Sequence, residues 1–160
     1  MGRARRQAVG RRSWNRPRMF DLAGLFAAAF LSATLLPGSS EAAFAALLGS
    51  GRISLAEALA VATAGNTLGS CANWAIGRWL AHWRDHPRFP VPPAKFERYA
   101  AMYRRWGVWS LLLSWVPIIG DPLTVLAGVF RTPFWLFTAV VAVAKFGRYL
   151  ALAGAVSAFT

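Results

Sequence analysis

Phe30-Leu31-Ser32-Ala33-Thr34-Leu35-Leu36-Pro37-Gly38-Ser39-Ser40-Glu41 sets a proline, a glycine, two hydroxyls and a carboxylate directly after an apolar run. Proline removes a backbone donor and stops a helix, and glycine turns the chain freely. Ser39 and Ser40 are suited to cap whatever helix begins next. The run before the break extends from Phe20 to Leu36 and is apolar apart from Asp21, Ser32 and Thr34. As a helix it would reach roughly 25 Å, short of a ~30 Å hydrocarbon core. Beyond the break, Glu41 opens a short apolar piece to Leu48, closed by Gly49-Ser50-Gly51. Two short helices about a Pro-Gly break predict a re-entrant hairpin. Irregular backbone at membrane depth is tolerated only beside protein or a water-filled cavity.

Composition agrees with a membrane setting. Of 160 residues, 56% are hydrophobic and 15% charged, whereas a soluble domain carries about a quarter charged. Eighteen basic groups against six acids give a net charge of +12 and a pI near 11.7. That charge alone would suit a nucleic-acid binder, but such a domain sets a basic face over a modest core, and this chain is apolar almost throughout. Bulk disorder is excluded on the same ground, and a disulfide scaffold by Cys71 being the single cysteine. The expected class is a small polytopic all-α membrane protein.

The charge is concentrated in two places. Seven arginines lie within residues 1–18, a segment with few apolar residues that is expected to be a disordered cytoplasmic tail. Anionic lipid headgroups are its natural partners, and no nucleic acid is expected. Arg11-Arg12-Ser13-Trp14 also resembles part of a twin-arginine signal with a cleavage region near Glu41–Ala45, but Asp21 interrupts the run and more membrane-like sequence follows. Seven more basic residues lie between Arg78 and Arg105, around His82, His86 and four prolines. The two histidines are four apart, as helix-borne metal ligands can be. Only Asp85 accompanies them, so no metal site is assigned.

Leu55 to Leu80 is long enough to cross. Asn66, Ser70, Asn73 and Gly77 share one face of it, and Gly65 and Gly69 form a GxxxG pair for close helix approach. Packing explains Asn73; Asn66, deeper, is held equally as a candidate site residue. In Lys95 to Trp106, Phe96, Tyr99, Tyr103 and Trp106 make an aromatic stripe, which predicts an interfacial amphipathic helix with that side towards lipid. Val108 to Val116 is a further short apolar helix. It ends in Pro117-Ile118-Ile119-Gly120-Asp121-Pro122, where Asp121 and Pro122 read as N-cap and first residue of a helix running to Phe130. Phe134 to Phe159 is the second full span, with Lys145 near its middle and Arg148 on the same face.

A shift of 80 positions superposes these landmarks: Pro37 on Pro117, Glu41 on Asp121, the Ile53 loop on Pro133. Half-repeats of about 20–80 and 107–160 then each hold a broken hairpin and a span, of opposite topology, within one membrane domain of residues 19–160. The breaks are formed by Pro37 and Gly38 in the first half and by Pro117, Gly120 and Pro122 in the second.

Phe30–Glu41, Gly65-Asn66-Thr67-Leu68-Gly69, Ser114–Asp121 and Lys145-Phe146-Gly147-Arg148-Tyr149, in this order, resemble the YqaA-like branch of the DedA family, the bacterial members of the VTT or SNARE-associated Golgi protein group. The resemblance covers about residues 20 to 155. It implies a multi-pass bacterial inner-membrane protein with two re-entrant hairpins, and a role tied to lipid translocation and the proton motive force. Typical members carry an arginine before the aromatic of the second break and another after its proline; here Ser114 and Gly120 stand there. A phosphate-binding role of those arginines does not transfer.

The expected activity is therefore a proton-coupled transporter or scramblase for a lipid or small anionic or amphipathic substrate, with no cofactor. Protons and membrane lipids are its partners, and a homo-oligomer is compatible. Glu41, Asp121, Lys145, Arg148 and Asn66 are the candidate substrate- and proton-binding residues. Burial favours a neutral acid while a neighbouring cation favours the carboxylate, so such an acid can exchange a proton as access alternates. The four charges are expected to converge in one polar cavity. The competing expectation is a structural or assembly factor whose charges cap helices and pair. No Ser-His or Cys-His arrangement or nucleotide loop indicates an enzyme.

Overall fold

The computed structural model describes residues 15–34, 38–83 and 93–159. Pro37, His86 and most of the arginine tail lie outside them. Six α-helices occur in the described chain: α1 Asn15–Ser32, α2 Ser39–Gly49, α3 Leu55–Leu80, α4 Pro93–Trp106, α5 Pro117–Val129 and α6 Phe134–Phe159. A 3₁₀ turn, Ala81–Trp83, follows α3, and a longer 3₁₀ segment, Gly107–Trp115, joins α4 to the second break. α1 begins at Asn15, within the segment expected to be tail, and ends at Ser32 rather than Leu36.

Several local expectations change. α2 is preceded by Gly38 in the left-handed region (φ 95°), so glycine supplies the turn and the two serines lie inside the helix. α5 starts at Pro117, which makes Asp121 and Pro122 internal residues instead of cap and first residue. Proline at the start costs nothing because its missing N–H would have been unsatisfied there. Gly120 N–H donates to Val116 O at 2.8 Å, carrying the helix through the expected break. The segment before it is 3₁₀, where residues three apart eclipse. Leu111 and Ser114 accordingly turn inward while Trp109, Leu112 and Trp115 stay exposed.

α3 is the hub. Ser54 and Glu57 close its start as a capping box. Its buried glycines let backbones meet. A Cβ on Gly65 would stand 2.6 Å from Phe26 O and one on Gly69 2.5 Å from Phe30 O, both on α1. Further along, a Cβ on Gly77 would stand 1.9 Å from Val125 O of α5. α6 packs against α3 and the 3₁₀ segment, and also receives α2. Thus each of the two short helices leans on a 26-residue helix distant from it in the chain: α2 on α6, α5 on α3.

Phe134–Ala158 is long and apolar enough to cross a membrane, and among the described residues it is the one helix that is. This amends the expectation of two such spans. α3 is equally long at 26 residues, but Asn66, Thr67, Ser70 and Asn73 dilute its apolar character. Those side chains are buried among other helices, so its polarity is turned towards protein.

The aromatic stripe of α4 is also corrected. Tyr103 faces inward, hydrogen-bonded to Thr132 and stacked on Phe130 with ring centroids 5.2 Å apart. Tyr99 is half-buried beside it, whereas Trp106 remains exposed. A tyrosine hydroxyl needs a partner that lipid cannot provide, and the α5–α6 corner provides one.

Candidate functional site

Glu41 is the third residue of α2, directly after the first break, and its carboxylate forms an ion pair with the Arg148 guanidinium of α6. Both are largely covered, with side-chain exposures of 28% and 10%. One turn earlier on α6, Lys145 is 1% exposed and interacts electrostatically with Asp121 of α5. Two cations on one face of α6 thus reach two acids on the two post-break helices. Glu41 and Arg148 thus join α6 to the first post-break helix as an ion pair, while Lys145 interacts with Asp121 on the second through the field alone.

Beside the first pair runs a chain of hydroxyls. Ser40 donates to Ser32 at 3.0 Å across the break, and the Tyr149 hydroxyl bonds Ser40 and accepts from Asn66 Nδ2 at 3.2 Å. Tyr149 is fully buried and packs on Phe44 with centroids 5.2 Å apart. Four elements, α1, α2, α3 and α6, are thereby tied together next to the Glu41–Arg148 pair. Ser32, Ser40 and Tyr149 were not read as site residues from sequence. The available signal was a tyrosine in an apolar span, whose hydroxyl must find a protein partner.

Asn66 is fully buried and its Oδ1 has no partner in the protein. The Thr63 and Thr67 hydroxyls, on the same side of α3, also lack one. Unsatisfied polar groups in a low-dielectric interior cost several kcal/mol, on the order of 2–7, so this stretch is prepared to receive hydrogen bonds. Thr63 and Thr67 line an apolar groove of about 450 Å³ between α3 and α6, with Cys71, Thr138 and Phe146. Asn73 is different. Its Nδ2 donates to Ala33 O at 2.7 Å and Thr124 Oγ1 at 3.3 Å, which is interhelical packing.

At the second break, Gly120 is fixed by closeness: a Cβ there would stand 2.6 Å from Ser114 O. Ser114 itself is fully buried. An arginine at Gly120 would have to displace the Ser114 backbone, so that departure is built into this packing. Pro117 begins α5 and Pro122 lies inside it. Among the described residues no group of three or more metal-ligating side chains occurs.

The VTT domain model matches residues 22–158. The chain is 39% identical over 141 residues to an uncharacterized protein of Haemophilus influenzae, covering 82% of this chain and 85% of that one. It is 38% identical over 137 residues to inner membrane protein YqaA of Escherichia coli and of Shigella flexneri, covering 84% of this chain and 90% of theirs. No solved structure matches.

Proposed function

This chain belongs to the VTT domain family, the DedA group of membrane proteins, and from that premise we propose that it is an inner-membrane transporter or scramblase that moves a lipid or small anionic amphipath in exchange with protons. The observation that carries the proposal is the Glu41–Arg148 pair directly after the first break, with Asp121–Lys145 as its counterpart after the second. Ionisable groups within a membrane domain are costly and mark substrate and proton pathways. Protonating Glu41 would release Arg148, which could then hold an anionic headgroup; loss of the substrate would restore the pair. Glu41 and Arg148 are held against each other in the resting state, so neither begins the cycle as an isolated ion.

The same geometry supports an inverted repeat of two re-entrant hairpins. Each half offers a segment, a break, a short helix with an acid in its first turns, and a 26-residue helix. Each short helix leans on the opposite long one. Under that arrangement the tail and C-terminus are cytoplasmic and the Arg78–Arg105 stretch faces the other side. With Cys71→Ala as background, cysteines placed singly at Arg3, Arg88 and Thr160 should label from outside only at position 88. Protection at 88 equal to that at 3 would overturn the topology.

The flux experiment uses purified protein in liposomes with an imposed proton gradient and a fluorescent anionic lipid. Glu41→Gln should abolish gradient-dependent movement while the protein still inserts and stays monodisperse. Full activity of that variant between about pH 6 and 8 would refute proton coupling through Glu41. The second possibility, a non-transporting assembly factor, draws support from the Glu41–Arg148 ion pair, which also ties α2 to α6. It requires Glu41→Gln to alter stability and leave transport by the liposomes at background for both proteins.

A further inference from the structure

We infer that the α4 end of the bundle carries a second, peripheral site, a basic and aromatic collar that binds the phosphate of anionic lipid headgroups. Arg131 carries the inference. It ends α5 in a Schellman motif, with its own N–H donating to Gly128 O at 3.0 Å and the Thr132 N–H to Ala127 O at 2.9 Å. It occupies the left-handed region there (φ 60°), and among the described residues it is the one non-glycine to do so. That position is ordinarily glycine because a Cβ is strained in it. Among the described residues no ion pair of its side chain offsets this strain, and Arg131 is exposed. A strained, exposed cation that glycine would replace with gain in stability is spent on something outside the chain.

Its surroundings state the chemistry of that partner. The Tyr103–Thr132 bond and the Tyr103–Phe130 stack hold α4 against the Arg131 corner. This places Arg98 and Arg105, both exposed, at the same end. Arg78 joins them from α3, whose backbone there abuts Gly128. Among the described residues the acid at this end is Glu97, and Arg104 neutralises it at 3.1 Å. Among the described residues no ion pair involves Arg78, Arg98, Arg105 or Arg131. Trp79, Trp106, Trp109 and Trp135 are all at least 60% exposed around them. Indole rings settle at the headgroup level of a bilayer, and arginine forks match phosphate oxygens. In a membrane protein a ring of exposed tryptophan marks the headgroup level, so the occupant of the collar is lipid. The collar is separate from the paired charges between the breaks and stands whether or not those transport.

The test measures thermal midpoints of the full chain in nanodiscs of phosphatidylcholine and of phosphatidylcholine with phosphatidylglycerol, and titrates short-chain phosphatidylglycerol into detergent-solubilised protein. Wild type should be stabilised by the anionic lipid. Arg131→Gly should raise the midpoint in phosphatidylcholine by about 2–4 °C, through relief of backbone strain, yet bind phosphatidylglycerol about fivefold more weakly. Arg131→Lys, which keeps charge and strain, should retain most of the affinity. Undiminished affinity in Arg131→Gly would overturn the inference. Should that variant fail to fold, Arg98→Gln with Arg105→Gln carries the same test, and unchanged affinity there would overturn it equally. So would inorganic phosphate reproducing the lipid's effect in phosphatidylcholine discs.

Discussion

Gly77 and Gly128 show how little freedom some single positions retain. Their missing Cβ atoms would lie 1.9 Å from Val125 O and 2.0 Å from Trp74 O, so any side chain must push α3 from α5. Gly77→Ala should cost several kcal/mol, on the scale of about 1–3 or more that overpacking produces, and remove the monodisperse fraction in size-exclusion chromatography. Gly147→Ala is the matched control, because nothing lies within 4 Å of a Cβ there. It should be neutral or stabilising by up to about 1 kcal/mol. Asn73 is informative in another way. Its two donations tie α3 to α1 and α5, and Asn73→Ala would leave a buried carbonyl and hydroxyl short of a donor, at a cost of about 1–3 kcal/mol. Unchanged thermal stability would show that another donor reaches Ala33 O.

Among the elements, α4 departs furthest from its amphipathic pattern. The stripe Tyr99, Tyr103, Trp106 is real, but an aromatic stripe satisfies lipid and protein equally, and periodicity cannot choose between them. The hydroxyl decides: Tyr103 reaches Thr132, and that bond orients the whole helix. Tyr103→Phe keeps the Phe130 stack and loses the bond, so it should cost about 1 kcal/mol and increase proteolysis within α4 at unchanged global fold. Equal digestion of variant and wild type would argue that the stack alone fixes α4. At the start of α3, Ser54→Ala should cost about 1 kcal/mol through loss of the capping box.

At the scale of the whole molecule, the Glu41–Arg148 ion pair joins α2 to α6. Breaking a covered pair by removing one partner leaves an uncompensated ion and costs about 3–5 kcal/mol, whereas removing both can be nearly neutral. Arg148→Gln alone should therefore destabilise the protein, and Glu41→Gln with Arg148→Gln should recover much of the loss in thermal stability. The double variant should still fail to move substrate. Recovery of stability together with recovery of flux would assign the pair to assembly rather than transport. This is the point at which the two possible roles separate, because a structural pair needs only charge balance while a carrier needs a titrating group.

The sequence by itself determined the membrane class, the helix-and-break order, the family, and which residues bear charge in the apolar region. Hydropathy, proline and glycine act locally, so their consequences are legible one residue at a time. It also singled out Gly65 and Gly69, since small residues four apart imply a close helix neighbour without saying which. Only the tertiary structure decided partners. That Arg148 reaches Glu41 while Lys145 turns to Asp121 depends on which break each turn of α6 passes, a relation between residues about a hundred positions apart in one case and two dozen in the other. The same holds for Asp121 and Pro122. Locally they read as a helix start, yet α5 begins at Pro117, because Gly120 can lie against the Ser114 backbone and carry the helix through. Local signals set where a helix can start; packing sets where it does.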